Sequence, residues 1–286
     1  MGSPFARRRR LAAELRQLRE EAGLTSDKLA KLVGQHRIKI SRLENGHLRP
    51  DVREIMALLD ALQVKGTRWH EVVQIAREAG EKGWWDSYGD AMGERQKLYA
   101  DLEFGSSRIR EYQPAVVPGL LQTAEYTWAL VGQDTTQTYK ADRVVEAREQ
   151  RQRMLDRPDG PDFEVILDEV VVRRLVVSPA VMRDQLLHIV DTVRASPRLS
   201  VRVLPVSAVV SGFLPSGTFM LFKFVDPRDP QMAVVETVTT DLVLDSADDV
   251  GRYVQHYERV RDATLSADDS LSLLEQAATQ HTEHPR

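Results

Sequence analysis

The stretch "GQHRIKISRLENGHLRP", residues 34–50, decides how the N-terminal part of the chain folds. With Arg37, Lys39, Arg42 and Arg49 it reads at first as a solvated basic run. Ile40 and Leu43, however, lie three residues apart, the spacing that one face of a short helix needs to meet a core. Asn45-Gly46 then closes the helix with a turn. At about 100° per residue, Ile38 stands about 200° from Ile40, so it points away from that core, with Arg42 one turn beyond it. The helix, expected from about His36 to Asn45, has one anchored face and one outward face carrying Arg37, Ile38, Ser41 and Arg42.

The flanking sequence supplies the rest of a helical bundle. Leu11, Leu15, Leu18 and Ala22 keep a helical spacing until Gly23 stops it. Thr25 is placed to cap a second helix, with Leu29 and Val33 inside and Gly34 at its end. A fourth helix is expected from near Asp51, presenting Val52, Ile55, Leu58, Leu59 and Leu62. A fifth, from about Thr67, presents Trp69, Val72, Val73 and Ala76. The second and third are joined only by the turn at Gly34-Gln35, which is the layout of a helix-turn-helix. Residues 1–82 are therefore expected to form an all-α domain of five helices.

Charge is divided in the same way. The net charge of −4 hides 17 basic and 11 acidic side chains in residues 1–82 against 22 and 32 in residues 83–286. A basic unit on an acidic body suggests a local polyanion site. The chain has no cysteine, which excludes disulfides and thiolate metal sites, and its seven histidines are scattered. No cofactor or metal is expected. No apolar run approaches the roughly 20 residues that span a bilayer, and the start lacks the apolar core of a signal peptide. A cytoplasmic, nucleoid-associated protein without membrane contact is the expectation.

Three segments in order, "GLTSDKLAKLVG", "IKISRLENG" and "RPDVREIMALLDAL", resemble the Cro and lambda-repressor type of helix-turn-helix, also called the xenobiotic-response-element family. The resemblance implies a domain that docks its third helix in the major groove. Arg37, Ile38, Ser41 and Arg42 would then read bases, since Arg can take a guanine edge and an apolar side chain a thymine methyl. It places Ser26, Asn45 and Arg49 on phosphates. Lys39 and Arg10 are read as further phosphate contacts, Arg10 from a run, Arg7 to Arg10, that is either a cationic arm along the backbone or a frayed, solvated end. The resemblance also matches Arg19 and Glu44 to a structural ion pair tying the first helix to the end of the third.

Residues 83–104, with Trp84, Trp85, Tyr88, Met92, Leu98, Tyr99, Leu102 and Phe104, are expected to form an aromatic connecting helix used for packing rather than for stacking bases. Beyond them, residues 105–280 alternate. An extended stretch through "IREYQPAVVPGLLQT" leads into helices, "FEVILDE" and "RLSVRVLP" read as strands around the helix "PAVMRDQLLHIVDTV", and "GTFMLFKF", "MAVVETVT" and "DLVLD" form a meander before two last helices. The expectation is an α+β domain with a small mixed sheet covered by helices, making the whole chain α+β. Residues 281–286 are expected to be a disordered tail.

Several of these words, among them "YQPAVVPGLLQTAEYT", "REQRQRML" and "VVETVTTDLVLD", resemble the C-terminal domain of the WhiJ-like bacterial regulators. That resemblance implies a transcriptional regulator with a small protein partner, in an arrangement like toxin and antitoxin, and carries no catalytic residues. Other motifs fail on chemistry. "EVILDE" has the end of a Walker B strand, but no phosphate-cradling G-x-x-x-x-G-K-[ST] accompanies it. Asp168 and Glu169 are better placed to end a strand and cap a helix. "SGFLPSG" lacks the order of a nucleophile elbow. The reading is therefore not an enzyme but a DNA-binding transcriptional regulator, homodimeric on a pseudo-palindromic operator of double-stranded DNA and controlled by a protein partner through its acidic C-terminal domain. An antitoxin-like protein that sequesters a partner and a metabolite-sensing repressor are the alternatives.

Overall fold

Ser3 begins the first helix by accepting a hydrogen bond from the Ala6 amide at 3.0 Å while donating its own hydroxyl to Asp101. Pro4 follows at the first helical position, where its missing N–H costs nothing. The computed structural model describes residues 2–132, 141–212 and 217–283. The motif "SGFLPSG" therefore lies largely outside the described residues. None of the described helices is long and apolar enough to cross a membrane.

Five helices open the chain: α1 (Pro4–Glu21), α2 (Ser26–Leu32), α3 (Arg37–Glu44), α4 (Val52–Ala61) and α5 (Gly66–Ala79). Their apolar faces meet in one core that includes Leu11, Leu15, Leu29, Ile40, Leu43, Ile55, Leu59, Val72 and Ala76. The helical spacing legible in the sequence is the spacing of this core except at Ala22, which caps the end of α1 and is exposed rather than inward. Thr25 caps α2 by accepting from the Lys28 amide at 3.2 Å, and Asp51 caps α4.

The turn between α2 and α3 depends on Gly34. Its φ of 63° lets the Gln35 amide reach the Ala30 carbonyl at 2.9 Å and its own amide reach Lys31 at 3.3 Å, a Schellman closure. Gly46 closes α3 the same way, with φ 68°. A Cβ at Gly34 would meet nothing, whereas one at Gly46 would fall 2.9 Å from Arg9 Cδ and 3.4 Å from the Arg8 carbonyl oxygen. Gly34→Ala is therefore expected to cost only the left-handed conformation, about 1–2 kcal/mol, and Gly46→Ala more than that. Chemical denaturation of the two variants checks the order, and equal costs would contradict it.

The chain forms two compact units, and the division does not fall cleanly at residue 82. The first takes the chain up to Ser87 together with Lys97–Ser106 and Phe224–Pro230. Residues 83–104 are not one helix, contrary to the sequence expectation. A 3-10 stretch, Trp84–Ala91, is broken by Gly89 at φ 51° and ψ −134°, and α6 (Glu94–Phe104) follows. Trp85 is 3% exposed and meets Phe104 edge-on at 5.8 Å, so this aromatic side chain is used for packing.

The second unit is built on a six-stranded mixed sheet in the order β3-β2-β1-β4-β5-β6. The strands are β1 (Ser106–Gln113), β2 (Asp162–Asp168), β3 (Leu199–Leu204), β4 (Phe219–Phe224), β5 (Met232–Val235) and β6 (Leu242–Leu244). β1, β2 and β3 run parallel, while β5 runs antiparallel to both β4 and β6. The fully buried run of β2, Phe163 to Leu167, is what a parallel strand covered on both faces requires. The helices are α7 (Ala124–Val131), α8 (Ala141–Gln152), α9 (Glu169–Arg173), α10 (Pro179–Ala195), α11 (Ala247–Asp262) and α12 (Ala267–Glu283). α11 lays Val250, Tyr257 and Val260 on a sheet face made by Tyr112, Ile166, Phe219, Leu221 and Ala233. α10 and α12 pack together and against β3.

Asp168 caps α9 through the Val170 amide at 3.0 Å, and Glu169 accepts from the Val206 amide at 2.9 Å. Both carboxylates of the Walker-like motif thus have structural partners. The tail expected to be disordered from residue 281 is helical at its start. α12 continues to Glu283, and within its last turn His281 sets a ring nitrogen 3.1 Å from the Val172 carbonyl oxygen. Residues 284–286 lie outside the described residues.

Candidate nucleic-acid interface

The outward face of α3 is exposed because its inward face is fixed. Ile40 and Leu43 are 2% and 6% exposed, whereas Ile38, two residues before Ile40, is 72% exposed. Nothing in the first unit covers it. Arg42 is exposed, and its side chain makes no hydrogen bond or ion pair among the described residues. Arg37 lies 3.6 Å from Asp27, but both side chains are well exposed, so the pair holds it only weakly. Ser41 is half-buried beside them. The helix thus offers two long cationic donors, one hydroxyl and one apolar side chain on one face.

The residues expected on phosphates have other partners. Lys39 pairs with Glu54 on α4. Asn45 donates its amide to the Ser41 carbonyl at 2.7 Å and accepts from Arg16 at 2.9 Å, so it finishes the last turn of α3. Arg49 lies 3.1 Å from Asp86, although its side chain stays 36% exposed. Ser26, at the start of α2, donates to Glu44 at 3.3 Å. Arg10 departs furthest from the expectation. Its guanidinium lies 3.2 Å from Asp226 and 3.6 Å from Asp229 with 10% exposure, and so held it is not available to a phosphate.

Arg19 and Glu44 meet directly. Arg19 Nε donates to Glu44 Oε1 at 2.6 Å, and Arg19 Nη1 donates to the Leu24 carbonyl at 2.8 Å. The hydrogen bond to Glu44 raises the Arg19 pKa against the opposing effect of burial. The pair fixes the end of α3 to α1, and Ser26 joins it from α2.

Sequence reading passed over two residues here. Arg16 donates from α1 to the Glu44 carbonyl at 2.7 Å, adding a second tie to the end of α3. No local pattern marks such a residue, because its target is a backbone oxygen distant in sequence. Leu32, on the last turn of α2, is 59% exposed. It sits in "LAKLV" between the inward positions Leu29 and Val33, where nothing in the spacing marks it as a surface contact.

Residues 10–71 match a family described as a helix-turn-helix domain. Residues 96–276 match a family described as a domain of unknown function, DUF5753. No curated protein matches the chain, and no solved structure does.

Proposed function

The chain belongs to the DUF5753 family, and from the helix-turn-helix domain ahead of that region we propose that it is a sequence-specific transcriptional regulator of the Cro and lambda-repressor type, with α3 as its recognition helix. One observation carries the reading. α3 buries Ile40 and Leu43 while Ile38 and Arg42 stand exposed on its opposite face, with Arg37 beside them held only by an exposed pair with Asp27. A helix so anchored can enter a major groove, where guanidinium groups take guanine edges bidentately and Ile38 can meet a thymine methyl. Phosphate contacts then fall to residues that keep exposure, Arg49 first among them.

The test is selection of duplexes from a random pool, repeated with Arg42→Ala. The variant is expected to lose about 1–3 kcal/mol on the selected site and to relax the preference at one base pair, while binding random duplex as before. An equal loss on selected and random duplexes would turn the role of Arg42 from base reading to phosphate binding.

One recognition helix reads only a few base pairs, too little to find a site in a genome. The reading therefore includes a homodimer with half-sites about 34 Å apart on a pseudo-palindromic operator. The excess of acidic side chains in residues 83–286 and the resemblance to WhiJ-like regulators favour control by a basic protein partner. Footprints of one half-site, from a chain that sediments as a monomer on its operator, would remove the dimer.

A further inference from the structure

The acidic second unit contains a cluster of opposite sign on its sheet. Arg108 and Arg110 stand two residues apart on β1, and Lys223 is on the neighbouring strand β4. The Ser107 hydroxyl donates to the Lys223 carbonyl at 3.1 Å and holds the two strands together there. The three cations line a cavity of about 190 Å³ whose other walls include Leu221, Met232 and Val254.

Their charge is only partly balanced. Arg110 donates to Glu258 at 2.8 Å and lies over the Tyr257 ring, 5.4 Å from its centre. Glu164, its neighbour in strand register, is taken by Arg261 at 3.0 Å. Arg108 has no ion pair among the described residues, even with Asp162, its own register neighbour. The Nε of Arg108 and that of Arg110 are both buried without a hydrogen-bond partner. Folding has thus gathered three cations around one half-open recess and left two of them, Arg108 and Lys223, without a carboxylate partner among the described residues. The cost falls on the guanidinium groups, whose Nε atoms are buried and unsatisfied, while the exposed Lys223 adds attraction for an anion that would offset it.

We propose that this recess binds the phosphate group of a small molecule. Two guanidinium forks and an ammonium suit an oxyanion with several acceptor oxygens, and an excess of two charges suits the roughly −1.5 to −2 that a phosphate monoester carries at pH 7. Ligand pockets that enclose a whole cofactor run to about 300–1,000 Å³. The smaller recess takes the phosphate head and leaves the rest of the molecule outside. β4 and β5, which line it, are the strands that lead into and out of Phe224–Pro230. The site stands on its own geometry and does not depend on how α3 meets DNA.

The experiment is calorimetric titration of the full chain with inorganic phosphate, then of Arg108→Gln and Lys223→Gln. Saturable binding by the wild type is expected, weakened about tenfold or more in Arg108→Gln with unchanged circular dichroism. If Arg108→Gln fails to fold, Lys223→Gln decides, because the Lys223 side chain is exposed and its loss leaves the core intact. No saturable binding by the wild type, or unchanged binding by the variant that decides, overturns the site. Random-sequence duplex is titrated in parallel. Equal duplex affinity in wild type and Arg108→Gln assigns the recess to small molecules, and a matching loss assigns it to DNA and overturns the proposal.

Discussion

Replacing Glu44 with Ala is expected to destabilise the first unit by about 3 kcal/mol, the low end of the cost of breaking a buried ion pair. The residue is 6% exposed and its Arg19 partner 12% exposed at the side chain, so neither charge can return to water without moving the helices. The low end applies because Arg19 keeps the Leu24 carbonyl and a second, exposed carboxylate, Glu20 at 3.4 Å. Glu44→Ala also leaves the Ser26 hydroxyl without its acceptor. Arg19→Ala should cost a similar amount, since it strands a buried carboxylate instead. The double substitution should cost less than the two singles added, because neither charge is then left alone. Denaturant unfolding of the four chains measures this, and a Glu44→Ala cost under about 1 kcal/mol would mean that the pair behaves as a surface pair.

The parts of the fold that were legible in the sequence are those set by local periodicity. Ile40 and Leu43 announced the buried face of α3, and a helix has only one opposite face, so Ile38 and Arg42 were fixed as outward by the same two residues. The alternation of strands and helices in the second unit was readable for the same reason. What stayed hidden is what depends on partners far apart in sequence. Arg10 looked like a cationic arm because Asp226 and Asp229 lie more than two hundred residues away. Lys39 looked like a phosphate ligand because Glu54, on the next helix, carries no mark of its destination. The break at Gly89 was invisible because glycine fits a helix interior poorly but does not forbid it. Sheet order is likewise non-local, and nothing in "IREYQ" indicates that β1 lies between β2 and β4.

The largest loss is expected from the cluster that holds the start of α1. Arg7 is 9% exposed and contacts three carboxylates, Glu78 at 2.8 Å, Asp226 at 2.8 Å and Asp229 at 2.9 Å. Arg10 reaches two of the same carboxylates. Asp226 is held well below the usual carboxylate range by the hydrogen bond from Arg228, helped by Arg7 against the cost of burial. Asp229 is pushed up, because its burial outweighs the attraction of Arg7. Acid therefore acts on the two in opposite directions. Stability from Asp226 is lost only as pH falls through its depressed pKa, while protonating Asp229 relieves a buried charge. Substitution is the cleaner test. Asp226→Ala with Asp229→Ala leaves Arg7 with Glu78 alone and takes both of these carboxylates from the shielded Arg10, at an expected cost of about 3–5 kcal/mol. Both aspartates lie within the DUF5753 match, yet the segment that carries them belongs to the first unit. A fragment ending near residue 82 would lack it, and with it the Asp101 that accepts from Ser3. Such a fragment should be less stable than the same helices in the full chain, despite holding all five. Amide hydrogen exchange at Val72, Val73 and Ala76 on α5 reads the unit's stability without assuming that the whole chain unfolds in one step. Protection in the double variant within about 1 kcal/mol of the wild type would show that α1 is held by its apolar face alone.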